Sequence, residues 1–179
     1  MLTRLVELDV GWVAWLWSKD GLYAISLPRP SAETAIGDLG RPGLVSGGPP
    51  TDGAEQKLMK ALEAYYRGER LSFDFVPVNW EGQTPFTRLV LEAVKRIDYG
   101  RTMSYNEVAA AINHPRAARA VGGALARNRT PLVVPCHRVL RSDGSIGGWS
   151  GAPDWKERLL RIEGITLFAR PEIVQPSRL

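Results

Sequence analysis

Cys136 is the single cysteine of a 179-residue chain, and His137 stands directly after it in the run Asn128-Arg129-Thr130-Pro131-Leu132-Val133-Val134-Pro135-Cys136-His137-Arg138. A thiol attacks carbon only as its thiolate. An imidazole within reach, directly or through one water, generates that thiolate at neutral pH. The pair therefore reads as a nucleophile with its base. The same stretch also reads as a small buried hydrophobe with inert sulfur, because Leu132-Val133-Val134 leads into it. A papain-like protease fits poorly, since the local cysteine signature is absent and the histidine is adjacent rather than far downstream.

The charge around the thiol is one-sided. The chain carries 23 basic and 19 acidic residues, a net +4. Between Val108 and Ser142 there is no Asp or Glu, while Arg116, Arg119, Arg127, Arg129, Arg138 and Arg141 all fall there. Cations without anions beside a thiol suit a polyanionic partner, although a solvated basic face gives the same count. A single cysteine excludes an intramolecular disulfide and suits a reducing compartment. Glu7 and Asp9 interrupt any secretory pattern, and the apolar run Gly11 to Trp17 is too short to span a membrane.

The elements that must position these groups follow from pattern. Leu5–Val10, Trp12–Trp17 and Leu22–Leu27 predict strands, with Lys19-Asp20-Gly21 as a hairpin turn. The three tryptophans could stack bases, but aromatics on a pleated face more commonly pack a sheet against a helix. Residues Pro28 to Asp52 read as a connection with a short helix near Ser31 to Ile36. Ala54 to Arg67 predicts a helix with Leu58, Leu62 and Tyr65 on one face. Leu71-Ser72-Phe73-Asp74-Phe75 alternates as a strand does. Together these give a small α/β N-terminal domain, an antiparallel sheet with helix, over 1–78, followed by a linker at 79–83.

A mostly α C-terminal domain is expected over 84–168. Thr84-Pro85 opens a helix as N-cap and first helical residue, with Phe86, Leu89, Val90, Ala93, Val94 and Ile97 as its apolar face. Ser104-Tyr105-Asn106-Glu107 is a capping box. The short helix it starts is broken at His114-Pro115, and Ala117 to Arg127 begins another. The pair forms a helix-turn-helix in a winged-helix-like arrangement. Ala118, Gly122 and Gly123 make its second helix small-sided, for close approach either to a neighbouring helix or to a DNA groove. Glycine inside a helix costs roughly 1 kcal/mol against alanine, so close approach must matter there. Leu132-Val133-Val134 reads as a buried strand or extended segment. Gly144 to Gly151 reads as a loop, Asp154 to Glu163 as a helix, and 169–179 as a tail.

The motif Pro135-Cys136-His137-Arg138-Val139 resembles that of the O6-alkylguanine-DNA alkyltransferases. Ala117-Ala118-Arg119-Ala120-Val121-Gly122-Gly123-Ala124 before it, Gly147-Gly148-Trp149-Ser150-Gly151 after it, and the helix ending Glu163-Gly164 keep the family's order from Thr84 to Gly164. The resemblance implies single-turnover transfer of an alkyl group from O6 of guanine in duplex DNA to Cys136, with O4-alkylthymine a poorer substrate. His137 would act as base through a water and Glu163 as its carboxylate, in the manner of a hydrolase triad. Tyr105 would donate toward the base. Asn128 would tie the recognition helix to the active segment. Val139, Gly148, Trp149 and Ser150 would line the guanine pocket. Trp149 stands where relatives usually have tyrosine. Arg119 would fill the gap left by the extruded base, with Ala118, Gly122, Gly123, Arg127 and Tyr105 against the minor groove. No cofactor and no metal are implied. Some relatives hold a structural zinc, but the only histidines here are His114 and His137. The expected partner is double-stranded DNA, with no membrane. The expected state is a monomer in the cytoplasm at the nucleoid, or in the nucleus of a eukaryote. A lesion-sensing relative without repair activity would lack Cys136, and a helix-turn-helix regulator would leave it inert.

Overall fold

The computed structural model describes residues 1–40, 44–45, 53–147 and 153–167. Strands β1 (Leu2–Leu8), β2 (Gly11–Ser18) and β3 (Gly21–Ile25) form an antiparallel meander. The second turn closes at Gly21, whose φ is +110°. A Cβ there would stand 2.3 Å from the Pro77 carbonyl oxygen, so only glycine fits. A two-residue strand, β4 (Leu44–Val45), pairs in parallel with the start of β1 and gives the order β3-β2-β1-β4. It leaves no trace in the sequence pattern, because two residues carry no periodicity.

Both faces of this sheet are covered, which is why β2 is buried along most of its length. Val13, Trp15 and Trp17 pack against Leu58, Leu62 and Tyr65 of helix α2 (Gly53–Tyr66). Ala14 and Leu16 pack on the other side with Ala35 of helix α1 (Ala32–Gly37) and with Leu39. Ser31 caps α1 through a capping box, as its position before Ala-Glu-Thr requires. The tryptophans are thus packing groups, and the Trp15 indole N–H is spent on Glu55.

Residues 71–75 are not a strand. Phe73 is buried against Tyr65, Phe75 is exposed, and the Val76 amide donates back to the Phe73 carbonyl. The alternation reflects one aromatic dropping into the core, not a pleat. The edge of β3 is taken instead by residues 77–79, where Leu22 N–H donates to Pro77 O and Asn79 N–H to Leu22 O.

Helix α3 (Pro85–Lys95) starts at the Thr84 cap. Its buried face is Thr87, Val90, Leu91 and Val94, while Leu89 is 40% exposed and does not belong to it. Strand β5 (Met103–Ser104) leads into α4 (Tyr105–Ala111), capped by the Ser104–Glu107 box. After a turn through Asn113, with φ +60°, comes α5 (Ala118–Leu125). Strand β6 (Val139–Leu140) lies parallel to β5, and α6 (Pro153–Ile162) follows. An N-terminal sheet with helices and a mostly helical remainder containing a helix-turn-helix therefore match the expected class. Among the described residues no helix is long and apolar enough to cross a membrane.

Besides the small cluster around Ala14, Leu16 and Ala35, two larger apolar clusters hold the fold. One is built from α3, α4, α5, Val134, Cys136 and Val139. The other lies under the sheet and takes Leu132, Val133, Trp155 and Leu159 from the downstream chain. That placement corrects the extended reading of Leu132–Val134. The segment is a turn, with Leu132 at φ +72° and Val134 N–H donating to Thr130 O at 2.8 Å. Its apolar residues are buried because the turn plugs both clusters at once, and a short apolar run cannot by itself distinguish this from a strand.

Candidate active site

Cys136 begins a single 3-10 turn, Cys136–Arg138, delivered by a tight reversal at Pro135. Pro135 has φ −79° and ψ 65°, and the Cys136 amide donates across it to Val134 O at 2.8 Å, an inverse γ-turn. Asn128, just past α5, braces the same point. Its Nδ2 donates to Val134 O at 2.8 Å, and its Oδ1 accepts from the Thr130 amide at 3.0 Å. On the far side, Ile25 N–H of β3 donates to Arg129 O at 2.9 Å, so the turn is also pinned to the sheet edge. A cavity of about 270 Å³ opens beside this turn, with Leu27, Arg29, Leu125, Asn128, Pro131 and Cys136 among its walls.

Cys136 is 4% exposed and His137 fully buried. His137 Nε2 lies 2.7 Å from Glu163 Oε1. Glu163 also accepts from Tyr65 Oη (2.7 Å), from Arg138 Nη2 (2.9 Å) and Nε (2.8 Å), and from the Gly100 amide (3.1 Å). Burial alone would raise the Glu163 pKa. The hydrogen bonds and charges of His137 and Arg138 overcome it and bring the carboxyl down to about 2. Burial pushes His137 below its ordinary value, with Glu163 opposing. A neutral imidazole facing an ionised carboxylate must donate from Nε2. The lone pair is then on Nδ1, which has no hydrogen-bond partner among the described residues. Imidazole and carboxylate, 26 residues apart, are thus in one buried pair next in sequence to the buried thiol, the arrangement that a base for a thiol requires.

Tyr105, first residue of α4, is half-buried. Its ring lies 3.7 Å from where a Cβ on Gly122 would stand, and its hydroxyl 3.4 Å from one on Gly147. Gly122 therefore faces the Tyr105 ring at a distance that an alanine methyl would also fit, whereas Gly123 faces outward with only the Arg127 guanidinium nearby, at 3.9 Å. Burial and the nearby Cys136 raise the Tyr105 pKa, keeping it a donor. Val139 is fully buried. Gly148, Trp149 and Ser150 lie outside the described residues.

The basic stretch divides in two. Arg116, Arg119, Arg127 and Arg141 are exposed. Arg129 is turned inward, 3.9 Å over the Tyr23 ring and donating to Glu81 O at 2.7 Å. Arg138 is buried on Glu163 and belongs to the internal array, not to a cationic surface. A count of charges cannot give their direction. Ala118 is half-buried, so the outward face of α5 carries Arg119, Ala120, Gly123 and, past its end, Arg127.

Sequence reasoning missed Tyr65 and Lys156. Lys156 is fully buried, and its Nζ donates to Val139 O and Ile146 O, each at 2.7 Å, bridging the two ends of the segment after the reactive turn. Burial lowers its pKa to about 8, with Cys136 opposing. The available signal was the spacing Lys156, Leu160, Glu163, a helical stripe with a charge at each end.

Residues 85–165 match the family model described as 6-O-methylguanine DNA methyltransferase, DNA binding domain. The methylated-DNA–protein-cysteine methyltransferase of Methanothermobacter thermautotrophicus is 38% identical over 161 residues, 89% of this chain and 82% of that protein. That of Methanopyrus kandleri is 45% identical over 123 residues, 66% of this chain and 88% of the relative. The fold superposes on Mycobacterium tuberculosis OGT in complex with DNA with a TM-score of 0.70 at 32% identity, covering 91% of this chain and 92% of that one. The O6-methylguanine-DNA methyltransferase of Pyrococcus kodakaraensis gives 0.68 at 30% identity, over 91% and 99%. A lone cysteine braced on one side by Asn128 and backed by a buried His–Glu pair, in a chain aligned with these relatives over most of its length, belongs to the methylated-DNA–protein-cysteine methyltransferases.

Proposed function

We propose that this protein repairs alkylated guanine in duplex DNA by moving the alkyl group from O6 onto Sγ of Cys136. The bond from alkyl carbon to O6 breaks as the bond to sulfur forms, and guanine departs with the electron pair. The thiol proton passes through one water to Nδ1 of His137, and Glu163 stabilises the resulting imidazolium. A proton must reach the departing guanine, and the half-buried phenol of Tyr105 is the donor we assign. The thioether has no internal reductant or second thiol to reverse it, so each chain acts once.

The observation that carries this reading is the 2.7 Å contact between His137 Nε2 and Glu163, which leaves Nδ1 as the basic nitrogen of the residue that follows Cys136. The exposed Arg116, Arg119, Arg127 and Arg141 supply affinity for the phosphate backbone. In this reading Arg119, exposed on α5, fills the position of the extruded base. Ala120 and Gly123 on that face suit a narrow groove. Asn128 holds the reactive turn, and Val139, Gly148, Trp149 and Ser150 form the guanine pocket in this reading. The protein works where its DNA is, in the cytoplasm of a prokaryote or the nucleus of a eukaryote, as a monomer.

Intact-protein mass spectrometry after incubation with an O6-methylguanine duplex tests it. One added methyl group is expected, mapped by peptide sequencing to Cys136. An unmodified mass, or a methyl group elsewhere, overturns the reading.

A further inference from the structure

Glu163 Oε1 is shared. It receives His137 Nε2 and, equally close at 2.7 Å, the phenol of Tyr65, a residue 98 positions earlier on the N-terminal helix α2. Every other group around the carboxylate has a different task. Arg138 spans both oxygens and supplies charge, and the Gly100 amide meets Oε2. The Tyr99 phenol donates to Ile162 O at 2.9 Å, fixing the end of α6, while the Lys156 amine is spent on Val139 O and Ile146 O. Tyr65 alone among the described side chains is a neutral donor on the oxygen that holds His137.

We propose that Tyr65 is a positioning residue for alkyl transfer, which by donating to Glu163 Oε1 fixes that oxygen on His137 and limits how strongly it holds the imidazolium. This rests on the Cys136–His137–Glu163 reading above. The tyrosine is fully buried, and burial with the adjacent Glu163 charge raises its pKa, so it stays protonated and can only donate. A neutral donor withdraws electron density from Oε1 without changing the net charge of the array. When it is removed, Oε1 bears more fully on His137 and stabilises its protonated form. The His137 pKa then rises, and the neutral base is lost at a higher pH. The carboxylate also loses a restraint, so fewer encounters find the imidazole aligned. Through this contact the N-terminal helix acts on the chemistry of a turn it does not carry.

A merely structural role makes a different prediction. The Tyr65 ring packs edge-on or tilted against Tyr66, Phe73 and Tyr99 at 5.5–6.1 Å, and phenylalanine keeps every one of those contacts. Tyr66 is the control, a neighbouring tyrosine whose buried hydroxyl has no hydrogen-bond partner among the described residues.

The test is the single-turnover rate of methyl transfer from an O6-methylguanine duplex at saturating full-length protein, followed from acid to neutral pH. Tyr65→Phe should lower the plateau by about tenfold, the scale of one hydrogen bond to a charged group, and move the acid limb to higher pH. Tyr66→Phe should overlay the unmodified protein. Site-specific fluorination of the Tyr65 ring, which strengthens the donor and preserves the fold, should move the limb to lower pH. The proposal is overturned if the limb of Tyr65→Phe coincides with that of the unmodified protein, if Tyr66→Phe shifts it equally, or if fluorination moves it upward. Absence of transfer by the unmodified protein would instead overturn the alkyl-transfer reading itself.

Discussion

Asn128 and Val134 are joined by a 2.8 Å hydrogen bond from Nδ2 to a carbonyl oxygen that also receives the Cys136 amide at 2.8 Å. The end of α5 and the nucleophile therefore hang from one atom. A change in how α5 is seated is felt directly at the thiol.

Asn128→Ala removes that brace and also the acceptor for the Thr130 amide. The expected cost is about 1–3 kcal/mol, seen by calorimetry as a fall in Tm of roughly 2–4 °C per kcal/mol for a chain of this size. Methyl transfer should slow by at least about tenfold, with DNA affinity changed far less. Asn128→Asp keeps the Oδ1 acceptor and loses the donor, so it should resemble alanine in rate more than in stability. Rates equal to the unmodified protein in both variants would show that the brace is dispensable.

Glu163 makes stability depend on pH with a definite sign. Its carboxyl, ordinarily near 4.5, is brought down to about 2 in the folded chain. The folded state thus binds its proton more weakly than the unfolded one. Stability from this group is full above 4.5 and is lost as pH falls toward 2, an order of about 3 kcal/mol in all. His137, held below its ordinary 6.5, adds a loss that begins higher, as the unfolded imidazole charges first. Denaturant titrations at stepped pH should show both phases. In Glu163→Gln the lower phase should shrink, and methyl transfer should slow well beyond any loss of DNA binding.

The role proposed for Arg119 is tested by separating base extrusion from chemistry. Extrusion costs on the order of a few kcal/mol, and a side chain filling the gap offsets part of that only where there is a stack. Arg119→Ala should therefore slow repair of duplex DNA while leaving reaction with a free O6-alkylguanine base nearly unchanged. A phosphate contact would instead weaken binding uniformly and lower the salt slope by about one unit. Paired single-turnover rates at two salt concentrations distinguish these. Equal losses on both substrates would assign Arg119 to the fold.

Stoichiometry follows from the chemistry of a thioether. With excess methylated duplex, transfer should stop at one methyl per chain. Cys136→Ala should transfer none and still bind DNA, because in the proposed reading the exposed arginines supply that affinity. Continued turnover, measured as methyl transferred against protein concentration, would contradict it.

Local chemistry in the sequence was legible where a few neighbouring residues settle the outcome. The caps at Thr84 and Ser104 are both in place, since a hydroxyl reaches only its own helix start. So is the stripe Leu58, Leu62, Tyr65. What failed depends on distant partners. Phe73 and Leu132–Val134 are buried by what lies across from them, not by a strand of their own. Arg138 reads as one more surface cation until Glu163 is brought beside it. The Tyr65 hydroxyl was invisible within an apolar stripe. Glu163 was found only through family resemblance, because nothing local distinguishes it from any carboxylate at a helix end.

The apolar cluster beneath the N-terminal sheet includes Leu132, Val133, Trp155 and Leu159. During synthesis the sheet and α2 leave the ribosome with that side still open. Closure waits for the reactive turn and α6, a contact of long sequence separation and therefore slow to form. Until then the sheet and α2 have only each other to pack against, and the Tyr65 phenol has no carboxylate to meet. The thiol becomes reactive in the same late event that seals the core, so a half-made chain carries no competent nucleophile.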